Sequence, residues 1–405
     1  MLRDKTHDPA DSSLSSSYVR RFIGPKATEI HVRCSPAGIE SDDLATETEA
    51  VYRQLHEALS LEGAGLEDVV RETVFFRSIA DDLEEFRRHR GRVLDSLGAG
   101  AEYRPACVCV GQPPMDGASR VEILVSAVVP RVKKARLDWT LSCALRCACK
   151  SREEIGGRVL LLGDEKHLFA GNIYGSPGSA FDEASSMFEV AEDILKQEGM
   201  DFRAVVRTWI YLRNMDRDYA EFNRARRAFF ERTGVKLRPA STGINGDPFP
   251  ARHNFVLGLY AIESPRPIGV SAMTTPTLNE AFEYGSDFSR GLRVQDENKV
   301  ALYISGTASV DEQGLTAHDG DFDAQVERML LNVEVLLERQ GASFDDMVSA
   351  VTYLKRASDA ARFREILAER GINGFPHVVV QAGVCRPELL CEIEGIALLP
   401  RKESS

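Results

Sequence analysis

One glutamate of this 405-residue chain has the surroundings expected of a proton donor. Glu392 lies in the apolar run LLCEIEG, where the alternation of a β-strand places Glu392 and Glu394 on one face. Burial in such a strand raises the pKa of a carboxyl group, which keeps it protonated and able to donate near neutral pH. A solvent-facing carboxylate on an edge strand is the alternative. We take Glu392 as the candidate general acid.

Three arginines and two tyrosines form a second set of candidates. The planar fork of arginine suits bidentate binding of a carboxylate better than lysine does. Each arginine is equally compatible with an ion pair at the surface or at an interface, and each tyrosine with a place in the core. These residues are Arg207, Arg290, Arg386, Tyr211 and Tyr284.

The composition is that of a globular protein with an acidic surface. Hydrophobic residues make up 43% and charged residues 28% of the chain, and the formal net charge is -12. A nucleic-acid or anionic-membrane surface needs a concentrated basic face, so we expect neither partner. No stretch approaches the ~20 apolar residues of a membrane span. The first residues lack the apolar segment of a signal peptide, which predicts a cytoplasmic protein.

The cysteines and glycines predict no cofactor. Eight cysteines without a paired framework fit a reducing compartment. Cys143, Cys147 and Cys149 lack a complementary Cys/His pair at ligand spacing, so we expect no metal site. The chain also has no glycine-rich nucleotide-binding motif of the dinucleotide or P-loop type.

Three segments of the chain repeat one pattern, and they align on Val69, Val205 and Met347. Each copy has an amphipathic helix, a turn rich in glycine and acids, and a strand of β-branched and aromatic residues. A second helix with a core aromatic and a strand pair complete it. The aromatics of the second helices are Phe86, Phe222 and Phe363.

This pattern predicts an α+β fold of three tandem modules, each a mixed sheet with two helices on one face. One face of such a sheet needs a further partner, so we expect the three modules to pack together as a pseudo-trimer. The predicted divisions are a disordered arm over 1–17 and modules over 18–135, 136–265 and 266–400.

The strings SGTAS, DDMVSAVTYLK and LLCEIEGIALL resemble the reactive-intermediate deaminase (Rid/YjgF) superfamily, whose fold is chorismate-mutase-like. Deaminases of this superfamily use an arginine for the substrate carboxylate and a glutamate for a proton. In the third copy the glutamate position is Glu392, but His377 stands at the arginine position. The first copy has Glu122 with Ala106 at the arginine position, and the second copy has neither residue. The resemblance therefore implies the fold, and it argues against plain imine hydrolysis.

Residues of about 160–398 are more specifically similar to the chorismatase branch of that superfamily. The segments RTWIYL, RPASTGING, EYGSDFSRG, YISGTASV and VCRPELLCEIEG occur in the family's order. The resemblance implies cleavage of chorismate to pyruvate and a hydroxybenzoate, without metal or redox cofactor. It adds Arg370 to the candidate substrate-binding residues and makes the first module an added unit that need not carry chemistry.

Two further positions bear on the product. Family members that give 3-hydroxybenzoate carry glycine and cysteine where the hydrolytic members carry alanine, and this chain has Gly306 and Cys385 there. The resemblance thus implies 3-hydroxybenzoate, formed by displacement within the substrate. Cys385 could instead be only a small buried hydrophobic residue, and 4-hydroxybenzoate remains open as the product. A Rid-type imine deaminase and a non-catalytic binding protein remain open as alternative functions. We expect a monomer or a small homo-oligomer.

Overall fold

The computed structural model of the chain describes residues 17–36, 38, 43–100, 102–141, 156–279 and 287–401. Residues 1–16 of the predicted arm, the candidate Tyr284 and the cysteines at positions 143, 147 and 149 lie outside the described residues. None of the helices in the described part is long and apolar enough to cross a bilayer.

Each module contributes one sheet and one pair of helices, as the repeat predicts. The first module consists of β1 (Ser17–Ile23), β2 (Ala27–Cys34), α1 (Leu44–Leu61), β3 (Val69–Phe76), α2 (Ile79–Ser96), β4 (Ala106–Gly111) and β5 (Val121–Pro130). The second consists of β6 (Ala135–Leu141), β7 (Gly156–Leu162), β8 (Glu165–Ile173), α3 (Ala180–Gln197), β9 (Val205–Leu212), α4 (Met215–Thr233), β10 (Ala240–Asn245) and β11 (Phe255–Glu263).

The third module has the same order as the second, and both begin with one strand more than the first module has. It consists of β12 (Gly269–Ala272), β13 (Gly291–Gln295), β14 (Val300–Ala308), α5 (Phe322–Glu338), β15 (Met347–Leu354), α6 (Ala360–Glu369), β16 (His377–Gln381) and β17 (Cys391–Leu399). The predicted α+β class with three tandem modules is therefore confirmed.

The three sheets share one strand order, with one difference from the sequence prediction. Written from the same edge, the orders are β1-β2-β5-β3-β4, β6-β7-β8-β11-β9-β10 and β12-β13-β14-β17-β15-β16. The last two strands of each module are not a hydrogen-bonded pair, because β3, β9 and β15 lie between them. Each of these central strands is parallel to one neighbour and antiparallel to the other. Two strands that follow each other in the chain cannot be joined by a tight turn when a third strand lies between them in the sheet.

The helices form where the sequence supplies caps and an apolar face. The side chains of Asp43, Ser179, Asn214 and Asp321 each accept a backbone N–H at a helix start, which satisfies a donor that the helix leaves unpaired. The aromatic residue predicted for the core in each second helix is fully buried between helices and sheet. The helix pairs thereby cover one face of each sheet and leave the other face for contacts between modules.

The contacts between modules run in a cycle. Strand β4 packs on β8 and β11 of the second module, and β10 packs on β14 of the third. The loop after β4 then joins the third module, where the amide of Met115 donates to the Val379 carbonyl at 2.9 Å. The β4 contact is so close that a Cβ on Gly171 would lie 2.2 Å from the Cys107 carbonyl oxygen. The pseudo-trimer remains a prediction, which this cyclic order of contacts supports.

The register of each sheet sets one row of side chains at matching positions on the face away from the helices. A row is formed by three directly opposed residues on three neighbouring strands, and their side chains therefore share a face. The three rows are His31-Ser126-Arg71, Phe169-Tyr260-Arg207 and Tyr303-Ile396-Ser349.

Candidate active site

Glu392 lies on β17 in the middle of the third sheet. It is 5% exposed and stands opposite Ala308 of β14 and Tyr353 of β15. The alternation of LLCEIEG correctly predicts this strand and the burial of both carboxyl groups, since Glu394 is 4% exposed. The edge-strand alternative is wrong, because β17 has a hydrogen-bonded neighbour on each side.

The surroundings of Glu392 favour its protonated form. Burial, reinforced by the negative charge of Glu394, raises the pKa of Glu392 to about 8, while Arg290 and Arg207 act in the opposite direction. A carboxyl group with this pKa holds its proton at neutral pH and can donate it to a substrate. The arrangement is the physical requirement for a general acid.

Gly306 stands directly beside this carboxyl group. A Cβ built on Gly306 would lie 2.0 Å from Oε1 of Glu392 and 3.3 Å from Cγ2 of Thr242. The pairing of β14 with β17 is irregular between Ile304 and Thr307, which brings the backbone of β14 close to the carboxyl group. The residue at position 306 therefore controls the space around the Glu392 proton.

Arg290 is a cation fixed near Glu392. It is 4% exposed, and its Nε and Nη2 donate to the carbonyl oxygen and the Oδ1 of Asn279 at 2.8 and 3.1 Å. Its charge acts on the carboxyl of Glu392 and on the thiol of Cys385. Asn279 thus helps to hold Arg290 in place, and the positive charge of Arg290 acts on this site.

Cys385 and Arg386 approach the site from the turn before β17. The thiol of Cys385 packs between the cores of the second and third modules, and burial raises its pKa to about 12. The charges of Glu392, Arg386 and Arg290 also act on this thiol, which places all four residues in one cluster. Since the thiol stays protonated, Cys385 is a small polar packing group and not a nucleophile.

Arg207 and Tyr211 lie behind this cluster. Arg207 is 1% exposed, and its Nη2 donates to Oε2 of Glu394 at 2.5 Å and to Oγ1 of Thr242 at 2.7 Å. Its guanidinium lies 5.0 Å from the ring centre of Trp209. Burial raises the pKa of Tyr211, whose hydroxyl is influenced by Glu394 and Arg207. Both residues therefore belong to a network around Glu394 that adjoins the Glu392 carboxyl.

Arg370 is not brought to this cluster. It ends α6 in the helical layer, where its Nη1 and Nη2 contact carboxylate oxygens of Glu327 and Glu334 on α5, each at 2.7 Å. His377, at the superfamily's arginine position, bonds Thr352 at 2.8 Å, and its pKa is lowered to about 3 by burial and by the charges of Arg33 and Arg364. It thus faces the first module and not the second.

Sequence reasoning missed a cation from the first module. The guanidinium of Arg71 lies 3.6 Å from the ring centre of Trp209, close to Arg207 and Glu394. The repeat contains the signal, because Arg71 and Arg207 follow the alignment residues Val69 and Val205 at the same distance. Asn279, which holds Arg290, lies in an irregular segment where no pattern predicts a role. Among the described residues no group of three or more histidine, cysteine or acidic side chains is placed to bind a metal ion.

Comparison with known proteins gives both the family and the fold. A family model described as endoribonuclease L-PSP matches residues 33–129 and 281–399. A 3-hydroxybenzoate synthase of Streptomyces hygroscopicus is 29% identical over 352 residues, which cover 77% of this chain and 96% of that protein. A RutC family protein of Saccharolobus solfataricus is 32% identical over 111 residues, covering 27% of this chain and 85% of that protein. The crystal structure of a chorismatase matches with a TM-score of 0.59 at 18% identity, over 82% of this chain and 93% of that one, which shows the shared fold.

Proposed function

This chain belongs to the endoribonuclease L-PSP family, and within that family we propose that it is a chorismatase that converts chorismate to 3-hydroxybenzoate and pyruvate. The observation that carries the proposal is the buried carboxyl of Glu392, protonated at neutral pH and placed between Gly306 and the cations around it. The Streptomyces relative is named as a 3-hydroxybenzoate synthase and is covered almost completely by this chain, which supports the choice of product.

The reaction needs one proton donor and groups that bind the two carboxylates of the substrate. Glu392 donates its proton to the methylene carbon of the enolpyruvyl group, which makes the adjacent ether carbon electron-poor. The oxygen of the ring hydroxyl then attacks the neighbouring ring carbon and displaces the ether there, and the electron pair of the broken bond leaves with the oxygen that becomes the pyruvate ketone. The bond between the attacking oxygen and its original ring carbon breaks as the ring aromatises, so this oxygen ends as the phenol hydroxyl on the neighbouring carbon. Aromatisation releases one carbon-bound ring hydrogen as a proton, which balances the proton donated. The two products contain all atoms of chorismate, so no water is consumed.

The remaining cluster residues have distinct roles in this proposal. Arg290 and Arg386 bind substrate carboxylates through charge-assisted hydrogen bonds. Gly306 leaves room for the ring beside the acid, and Cys385 lines the site as a neutral thiol. Arg207 acts through Glu394, whose negative charge helps to keep Glu392 protonated. Tyr211 supports the same network. A reducing, cytoplasmic location suits the five free cysteines of the described residues.

The deciding experiment is incubation of the purified protein with chorismate, followed by identification of products by liquid chromatography and mass detection. The unchanged protein and Glu388→Gln, which alters an exposed glutamate before β17, are expected to release pyruvate and 3-hydroxybenzoate in equal amounts. Glu392→Gln keeps the shape but holds no transferable acid proton, and it is expected to lose the activity. Unconsumed chorismate with a folded, unchanged protein would refute the proposal.

One observation favours a second candidate, the imine deaminase. Glu122 of β5 has the register position of Glu392, since it stands opposite Phe75 as Glu392 stands opposite Tyr353. Arg33 contacts this buried glutamate and also contacts Asp116 at 2.7 Å, so a cation is present although Ala106 occupies the superfamily's arginine position. Release of ammonia from 2-iminopropionate, abolished by Glu122→Gln and not by Glu392→Gln, would establish this activity.

A further inference from the structure

Thr242 stands between the candidate acid and the buried ion pair behind it. It lies on β10 of the second module and is 1% exposed. Strand β10 packs on β14 of the third module, the strand that carries Gly306. The methyl and the hydroxyl group on the Cβ of Thr242 have different neighbours, so this one residue contacts both parts of the site.

The methyl group of Thr242 is on the side of the acid. Its Cγ2 lies 3.3 Å from the position that a Cβ on Gly306 would take, and Oε1 of Glu392 lies 2.0 Å from the same position. The methyl group and the carboxyl group are therefore near neighbours across the space that Gly306 leaves open. An apolar group beside a carboxyl favours its neutral form, because it gives no solvation to the charge.

The hydroxyl group of Thr242 is on the side of the ion pair. Its Oγ1 accepts a hydrogen bond from Nη2 of Arg207 at 2.7 Å, and the same nitrogen donates to Oε2 of Glu394 at 2.5 Å. The other two nitrogens of this guanidinium, Nε and Nη1, have no hydrogen-bond partner in the described part of the chain. The hydroxyl of Thr242 is thus one of two hydrogen-bond acceptors that fix Arg207.

We propose that Thr242 is a positioning residue, whose hydroxyl holds the Arg207 charge against Glu394 and whose methyl group closes the space beside the acid. This inference rests on the proposed role of Glu392. The charge of Arg207 favours the ionised form of Glu392, and the charge of Glu394 favours the protonated form. Without the hydroxyl, Arg207 turns towards Glu392 or pairs more closely with Glu394. Both changes lower the pKa of Glu392, so the direction of the effect is the same in either case.

Three substitutions separate the two groups of Thr242. Thr242→Val loses the hydroxyl and keeps the shape, Thr242→Ser loses the methyl group, and Thr242→Ala loses both. The midpoint of the Glu392 titration is followed by the infrared band of its protonated carboxyl, which is identified by its loss in Glu392→Gln. This measurement needs no substrate, so it stays valid if chorismate is not cleaved. An unchanged protein that leaves chorismate intact would refute the proposed function and not this role of Thr242.

Thr242→Val and Thr242→Ala should lower the midpoint by about half a unit to one pH unit, the equivalent of one hydrogen bond. Thr242→Ser keeps the acceptor for Arg207 and should give a clearly smaller shift. Thr208→Val is the matched control, since it removes another buried hydroxyl of the second module, which donates to Oγ of Ser241 at 2.8 Å. It should leave the midpoint unchanged.

An unchanged midpoint in Thr242→Val would overturn the positioning role, and so would an equal shift in Thr242→Ser. If Thr242→Val does not fold, the comparison of Thr242→Ala with Thr242→Ser decides the question. Where chorismate is cleaved, the alkaline limb of kcat/KM should move with the midpoint in each variant.

Discussion

The carboxyl of Glu392 occupies the space that a side chain at position 306 would need. A Cβ there would lie 2.0 Å from Oε1, so an alanine forces the acid to move. Glycine is therefore required at position 306 because it has no side chain. Its backbone conformation is not the reason, since other residues also adopt that conformation.

Gly306→Ala should lower the rate of chorismate cleavage by roughly 10²-fold, because displacement of a catalytic group by about 1 Å has effects of that size. The measurement is kcat/KM for pyruvate release, with the product composition determined in parallel. Gly243→Ala is the matched control, since its Cβ would meet its nearest neighbour, Tyr219, at an ordinary 3.7 Å. Full activity of Gly306→Ala would show that the acid does not depend on this space.

The activity should require one proton on Glu392, which is lost at alkaline pH. The pKa of Glu392 is raised to about 8, so the acid is protonated below that pH and kcat/KM is expected to fall as the pH rises through about 8. The same shift means that the folded state holds this proton more firmly than the unfolded state does. Its contribution to stability is then full below about pH 4.3 and is lost as the pH rises to about 8. A pH profile with its limb near 4 would contradict the assignment.

Removal of the Glu394 charge should shift the alkaline limb of the kcat/KM profile. Glu394→Gln takes away the negative charge that raises the pKa of Glu392, and it leaves the charge of Arg207 unopposed. Both changes favour the ionised form of Glu392, so the alkaline limb of kcat/KM is expected at lower pH. Glu388→Gln is the control with an exposed carboxylate. A limb that stays in place in Glu394→Gln would show that Glu394 does not act on the acid.

The local parts of the site could be predicted from the sequence. Alternation in LLCEIEG predicts the strand and the burial of Glu392, because both depend on neighbours in the chain. The partners of Arg207 could not be predicted, since Glu394 lies 187 residues away and the contact depends on how two modules pack. Arg71 was missed for the same reason, although its place in the repeat matches that of Arg207.

Arg370 illustrates a second limit. A motif match gives its position in the chain, but the side of the sheet on which it lies is decided by α6, which packs against α5. The acids Glu327 and Glu334 are available there on the neighbouring helix. Periodicity predicts the helix and cannot predict which of its arginines reaches a site beyond the sheet.

The placement of Arg290 and Arg370 predicts opposite results for their alanine variants. Arg290→Ala removes a buried cation near Glu392 and should lower kcat/KM roughly 10- to 100-fold, the value of a charged hydrogen bond. Arg370→Ala should leave the activity within about twofold and change stability by less than about 1 kcal/mol, as expected for partly exposed ion pairs. A large loss of activity in Arg370→Ala with an unchanged Tm would place this residue at the substrate after all.

The buried pair of Arg207 and Glu394 should be a major element of stability between the second and third modules. Arg207→Met leaves the Glu394 carboxylate buried without its partner, and such a loss costs about 3–5 kcal/mol. Urea unfolding followed by circular dichroism measures the change, with Arg203→Met as the control because its pair with Asp201 is exposed. The double variant Arg207→Met with Glu394→Gln removes both charges and should recover part of the loss. If the double variant is as unstable as the sum of the two single variants, the two residues do not stabilise each other, and the attraction inferred from their 2.5 Å contact is refuted.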